Sequence, residues 1–301
     1  MRKRLYRLTP IFLCFLLQVA EAQVSRHPRN TTGGHELLYQ ITKPGSSDTS
    51  YLFGTFHLLG QDYVDTMRNL MPALHRATLV VGEFSIADFK LSDLAAGMES
   101  PVPLDSLLTS HDYKLVAREL KRSTGEPLSQ FNQFKPLVIY GAIMSTSNSG
   151  ELPTTQDAVP MDLYFQHVAH DSGQQVVGLE SPKDQSTLLY DSIPLKEQVE
   201  MLLDLVKHPT QNDKSFLKMQ REYMEGKVDE LMGDPEMGML SKRDKDLFLY
   251  HRNERWLGEF PAILDNHSAF IAVGAGHLVG PRGIVAGLRK LGYEVKGMSL
   301  N

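Results

Sequence analysis

The sequence predicts an α/β fold: a central sheet with helices on its faces and a helical cap or subdomain. Short β-like apolar runs alternate with segments whose apolar residues recur at spacings of three and four, the pattern of strands interleaved with amphipathic helices. Hydrophobic residues make up 42% of the 301 positions, ample for a buried core. The length suits one large domain or two small ones.

Taken in order, the first residues read as an export signal. Arg2, Lys3, Arg4 and Arg7 precede an apolar stretch from Pro10 to Ala20. That stretch is shorter than the roughly 20 apolar residues a membrane helix needs. Ala20-Glu21-Ala22 supplies a small-x-small cleavage pattern, so residues 1–22 are expected to leave as a signal peptide and the chain to work in the periplasm or outside the cell. Residues 23–34 are polar, end in two glycines and read as a flexible lead. Residues 35–301 are expected to form the domain, with β-like runs at 37–41 and 51–53 around a turn at Pro44-Gly45, which together predict a hairpin. Val64, Met67, Leu70, Met71 and Leu74 predict a helix over 61–77, followed by a buried strand at 78–81. Helices are expected at 111–122, 129–146 with a break at Pro136, and 157–170, then a strand at 175–179. A helical insertion covers about 183–258, broken near Pro194, Pro209 and Pro235. The last elements are a strand at 269–273, a helix at 283–291 and a terminal strand near 293–295.

Cys14 is the one cysteine and lies inside the apolar signal core, where bulky Phe12 and Leu13 do not match a lipoprotein site. The remaining chain has no thiol, so disulfides, a cysteine nucleophile and cysteine-bound zinc are excluded. Without the leader, 27 basic side chains face 35 acidic ones. Nucleic acid is therefore not an expected partner, since it requires clustered Lys and Arg. No later segment is long and apolar enough for a membrane helix.

Four segments share one layout, an apolar β-like run ending in a glycine turn and then His or Glu: residues 51–57 ending at His57, 79–83 at Glu83, 176–180 at Glu180, and 270–277 at His277. Ligands of open α/β folds bind outside the carboxyl ends of strands. Adjacent strands would bring two imidazoles and two carboxylates to one rim. Such a set suits a divalent metal held by nitrogen and oxygen, Mn, Co, Fe or Zn rather than Ca, which prefers all-oxygen shells. An open position would carry water, and a free carboxylate would serve as base. Without a metal, a His oriented by a Glu could activate water directly. The two Gly-x-x-His matches gain weight from their place after strands, not from their number. The plain alternatives are hydrogen-bonded core histidines, a buried ion pair for Glu83, and a helix-capping role for Glu180, which precedes Ser181-Pro182. Arg252, beside Asn253, is a candidate for orienting a carboxylate or meeting an anionic transition state; a solvated helix face is its alternative. Asp162 opens an apolar helix and reads as an N-terminal charge effect. No Gly-x-Ser-x-Gly elbow, P-loop or dinucleotide fingerprint occurs, and the run from His35 to Tyr39 fails the His-Glu-x-x-His pattern at its last position.

The hairpin into Gly54-Thr55-Phe56-His57, the segment ending at Glu180, the Arg252-Asn253 pair and the run from Ala272 through His277 to Pro281 resemble the TraB/GumN family. That family includes the pheromone-shutdown protein PrgY and the animal Tiki proteases, and its fold is related to those of erythromycin esterase and ChaN-like proteins. The resemblance implies an EreA/ChaN-like α/β fold. It also implies a Mn- or Co-associated protease site in which the two Gly-x-x-His motifs match His57 and His277, and Glu83 is the best match for the required Glu. The expected function is an exported metal-dependent hydrolase, a peptidase by preference, acting on a peptide or small-molecule substrate. His57, Glu83, His277 and Arg252 are its candidate catalytic residues, and His57, His277, Glu83 and Glu180 its candidate metal ligands. A binding protein that sequesters a peptide or a metal such as haem iron, and a metal-free esterase-like hydrolase, are the alternatives. A carboxy-terminal membrane anchor of the Tiki sort is not expected.

Overall fold

The structure is a computed structural model that describes residues 36–46, 48–57, 59–144, 159–229 and 242–301. The leader 1–22, the lead 23–34 and the 230–241 part of the expected helical insertion lie outside the described residues. Six strands form one sheet: β1 (Leu38–Thr42), β2 (Thr49–Thr55), β3 (Leu79–Gly82), β4 (Gln175–Gly178), β5 (Ala269–Gly274) and β6 (Glu294–Met298), in the order β4-β3-β5-β2-β1-β6. β2, β3, β4 and β5 run parallel, whereas β1 pairs antiparallel with both β2 and β6. The expected hairpin is β1-β2. Its turn closes where the Ser46 amide donates to the Lys43 carbonyl at 3.0 Å, and Gly45 takes a left-handed φ of 84°.

β2 and β5 are buried along nearly their whole length on both faces. This is why they read as unbroken apolar runs, as parallel strands covered by helices on both sides must. Helices that accompany the sheet include α1 (Leu70–Arg76), α2 (Met161–Asp171), α3 (His251–Leu264) and α4 (Ile284–Lys290). Phe165 of α2 meets Phe53 of β2 edge-on at 5.6 Å and Phe270 of β5 at 5.3 Å. Trp256 and Phe260 of α3 and Leu288 of α4 join the same core.

The helix expected over 61–77 is instead a short turn at Gln61–Val64 followed by α1. Asn69 breaks it: its amide donates to the Leu300 carbonyl at 3.1 Å and its side chain to the Ser299 carbonyl at 3.0 Å. The expected apolar spacing survives, because both pieces still bury Val64, Leu70 and Leu74.

The described chain divides into two compact units. The sheet unit contains residues 36–88, 159–181 and 218–301, and the helical unit residues 89–144 and 182–217. The helical stretch 183–258 is thus shared between them. In the helical unit, helices Leu91–Met98, Ser110–Thr124, Pro136–Met144, Pro182–Asp191 and Leu195–Lys207 surround two buried polar groups. The Gln198 amide nitrogen donates to Tyr190 and Ile193 carbonyls while its oxygen accepts from the Leu137 amide. The Lys135 ammonium donates to the Gly97 carbonyl and to Asp191. Gln198 and Lys135 thus satisfy chain breaks that would otherwise leave polar atoms dry and unpaired. Among the described residues no helix is long and apolar enough to cross a membrane.

Two glycines make opposite predictions. A Cβ on Gly178, at the end of β4, would lie 2.6 Å from the Ser85 amide nitrogen and 2.8 Å from the Phe84 Cα. Backbone cannot yield as a side-chain tip can, so Gly178→Ala should lower stability by about 1–3 kcal/mol. Gly258 sits exposed within α3 with nothing inside 4 Å of its missing Cβ. There Ala only improves helix propensity, and Gly258→Ala should raise stability by roughly 0.5–1 kcal/mol. Chemical denaturation of the two variants beside the wild type checks both signs.

Candidate active site at the strand ends

The parallel register fixes where the four strand-end side chains emerge. Thr55 of β2 lies opposite Gly274 of β5, and Gly82 of β3 pairs with Ala272 of β5 on one side and Gly178 of β4 on the other. Four neighbouring strands therefore finish at one edge. His57 follows β2, Glu83 follows β3, Glu180 follows β4 and His277 follows β5. Gly274 marks the centre. A Cβ placed there would lie 3.3 Å from Glu83 Oε1, 3.6 Å from His277 Cδ2 and 3.9 Å from His57 Nε2. A larger residue would fill the space on which these three side chains converge, so the glycine keeps it open. The Gly274 amide itself donates to Glu83 Oε1 at 2.9 Å.

Each imidazole is anchored through Nδ1. His57 Nδ1 pairs with Asp162 Oδ2 at 2.7 Å, and the other oxygen of Asp162 accepts from the Thr55 hydroxyl at 2.5 Å. Asp162 opens α2, as the sequence suggests, but its carboxylate is spent on β2 rather than on the helix end. His277 Nδ1 pairs with Asn253 Oδ1 at 2.6 Å. Asn253 uses its amide nitrogen to donate to the carbonyls of His277 and Arg282, so its oxygen must accept and His277 Nδ1 must carry the proton. Nε2 is thereby the ring nitrogen that each histidine does not spend on its anchor. Sequence reading gave no role to Thr55, Asn253 or Trp256, and misread Asp162, because 105 positions separate Asp162 from His57 and 24 separate Asn253 from His277. The local sequence around either anchor carries no sign of these pairings.

Arg252 ties the remaining groups together. It donates to Glu83 Oε2 at 2.6 Å, to Glu180 at 2.5 and 3.2 Å, to the Phe248 carbonyl at 3.2 Å and to His277 Nε2 at 3.1 Å. A guanidinium has five N–H donors, and all five are used. Arg252 has none left for a substrate oxygen, so its part is to hold Glu83 and His277 in place. Its guanidinium also lies 4.6 Å over the Trp256 ring, against which the His277 ring packs at 4.6 Å. Glu180, almost fully buried, takes Arg252 on both oxygens and Arg255 on one. The structure therefore brings Glu180 to the same edge, but with its lone pairs committed to two arginines.

The electrostatics follow from these contacts. Burial opposes the charge of Glu83, but Arg252, His277, His57 and the Gly274 amide together outweigh it and hold the carboxyl well below the usual carboxylate range. For Glu180 burial wins over its arginines and lifts the carboxyl. Burial, aided by Arg252, pushes His277 down to about 3, so it is neutral and accepts from Arg252. The Asp162 carboxylate pushes His57 up to about 9.

Among the described residues, no group of three or more His, Cys, Asp or Glu side chains stands ready as a metal site. Arg252 lies on Glu83 Oε2 and His277 Nε2. In donor chemistry the residues around Gly274 nevertheless fit a divalent ion. They offer two imidazoles anchored through Nδ1, an ionised carboxylate, and a space that a Cβ would fill. The residues that could hold an ion are His57, Glu83 and His277.

The pH-dependent contributions of the two histidines should together peak near pH 6.5 in the ion-free protein. His277 has a folded pKa below its unfolded value of about 6.5, so its contribution is complete above that pH and is lost as pH falls toward 3. The loss should be at most about 1.4 kcal/mol per pH unit. His57 has the opposite sign: its contribution is present below about 6.5 and is lost as pH rises through 9. The alkaline limb should be shallower, because the His57 side chain is 57% exposed and its ion pair is screened. Thermal unfolding of chelator-treated protein across pH 4–10 should trace both limbs, and Asp162→Asn should flatten the alkaline one.

A model of the TraB/PrgY/gumN family matches residues 37–297, spanning β2, β3, β4, β5 and every residue of the strand-end site. No curated protein matches the chain, and no solved structure does. The chain belongs to the TraB/PrgY/gumN family.

Proposed function

We propose that this protein is an exported metal-dependent hydrolase, by preference a peptidase, whose ion is held by His57, His277 and Glu83. The observation that carries the reading is the convergence of these three side chains within 4 Å of one point above Gly274. Mn or Co is the favoured ion, with Zn or Fe as further candidates. The ion would supply a Lewis acid and lower the pKa of bound water. Export rests on the basic and apolar leader before Ala22.

The chain's own residues account for the rest. Asp162 and Asn253 fix the two rings so that His57 Nε2 and His277 Cδ2 lie within 4 Å of the Gly274 Cβ position. Arg252 and the Gly274 amide keep Glu83 ionised and oriented. Glu83, charged, buried and with Oε1 directed at the same space, would give the ion its carboxylate ligand. His57, exposed on its outer side, marks where substrate approaches.

The 2.7 Å pair of His57 with Asp162 favours a second reading, a metal-free hydrolase in which this pair activates water. Chelation separates the two. On the metal reading, protein stripped of metal loses cleavage of a peptide library and regains it with Mn or Co. His57→Ala and His277→Ala then lose both bound metal and cleavage, and Asp162→Asn loses about 10–100-fold in metal affinity or activity. Full activity in chelator that still depends on His57 would favour the second reading. Stoichiometric ligand capture that survives Glu83→Gln, with no turnover in the wild type, would favour a binding protein instead.

A further inference from the structure

His277 Nε2 has a single lone pair, because Nδ1 carries the ring proton and donates to Asn253. That lone pair accepts from Arg252 Nη1 at 3.1 Å. It cannot serve a metal ion at the same time. The same guanidinium holds Glu83 Oε2 at 2.6 Å, and Glu83 Oε1 lies 3.8 Å from His277 Nε2. Resting on the metal reading above, we propose that Arg252 is a resident cation that fills this site until a metal ion displaces it, so that guanidinium and metal compete for His277 and Glu83.

The opposite side of Arg252 is built for the exchange. Glu180 takes Nε and Nη2, and the Phe248 carbonyl takes Nη1. None of these partners is a candidate ligand in the proposed set. An Arg252 that lets go of His277 and Glu83 keeps them, so the charge stays buried against Glu180 and is not expelled unpaired. Arg255, also on Glu180, balances the second carboxylate. Just before Arg252 the chain makes a π-helical turn at Asp246–Tyr250, and this turn carries Phe248. Such turns recur at functional sites.

A residue that merely supports the ligands and one that competes with the ion predict opposite signs. The test is calorimetric titration of Mn2+, Co2+ and Zn2+, each alone, into the metal-stripped full chain, Arg252→Gln and the double variant Arg252→Gln/Glu180→Gln. The double variant removes one charge of each sign, which keeps the site's net charge unchanged and guards against misfolding of the single variant. Competition predicts binding at least tenfold tighter than wild type in whichever variant folds, abolished when His277→Ala is added. Binding that appears only once Arg252 is replaced supports the proposal equally. Unchanged or weaker binding in the folded variants, with wild-type binding that depends on His57, overturns competition and leaves the metal reading intact. No binding by any form overturns both. Independently of any variant, 15N NMR of arginine side chains during Zn2+ titration of the wild type should show the Arg252 Nη1 signal move; the same signal in zinc-saturated protein would contradict displacement.

Discussion

The site depends on one guanidinium. Arg252 joins the ends of three strands by donating to Glu83 after β3, Glu180 after β4 and His277 after β5. Its partners are almost fully buried, so each contact is made in a low dielectric where an unpaired charge is heavily penalised. Removing one partner of such a pair usually costs about 3–5 kcal/mol. Two acidic side chains can share one dry edge because an arginine stands between them, and a neutral His277 can face that arginine because Asn253 fixes its tautomer.

Around that point the fold supplies rigid supports in place of mobile loops. Each imidazole is fixed by a hydrogen bond from Nδ1 to an acceptor on a helix, Asp162 on α2 for His57 and Asn253 on α3 for His277. Those helices are held by the core, α2 through Phe165 and α3 through Trp256 and Phe260. The path from sequence to chemistry is continuous: apolar runs make the parallel strands, the strands set the register, the register aligns the strand ends, and helix packing orients the rings. Glycine completes the site, since Gly274 leaves space where two histidines and Glu83 meet.

Much of this was legible in the sequence. The strands announce themselves by uninterrupted apolar runs, and the repeated strand-glycine-His or strand-glycine-Glu layout points to one rim before any neighbour relation is known. The order of the strands is not legible there: nothing local states that β5 lies between β3 and β2. The anchors are silent for a related reason. Asp162 is an unremarkable first-turn acid until α2 docks beside β2, and Arg252 looks like one of several arginines on a polar helix face until five acceptors surround it. Glu180 was expected to offer lone pairs to an ion because its strand matches the others; the two arginines that occupy it come from α3, in a region whose pairing no periodicity encodes. The helix expected over 61–77 is split in two because Asn69 bonds the carboxy-terminal segment, a partner about 230 positions away.

The most direct measurement is an anomalous-scattering crystal structure of the protein with Mn2+ bound. The account predicts a single peak coordinated by His57 Nε2, His277 Nε2 and Glu83, with Arg252 released from His277 and still on Glu180. A peak bound elsewhere, or an ion held while Arg252 keeps its bond to His277, would contradict it.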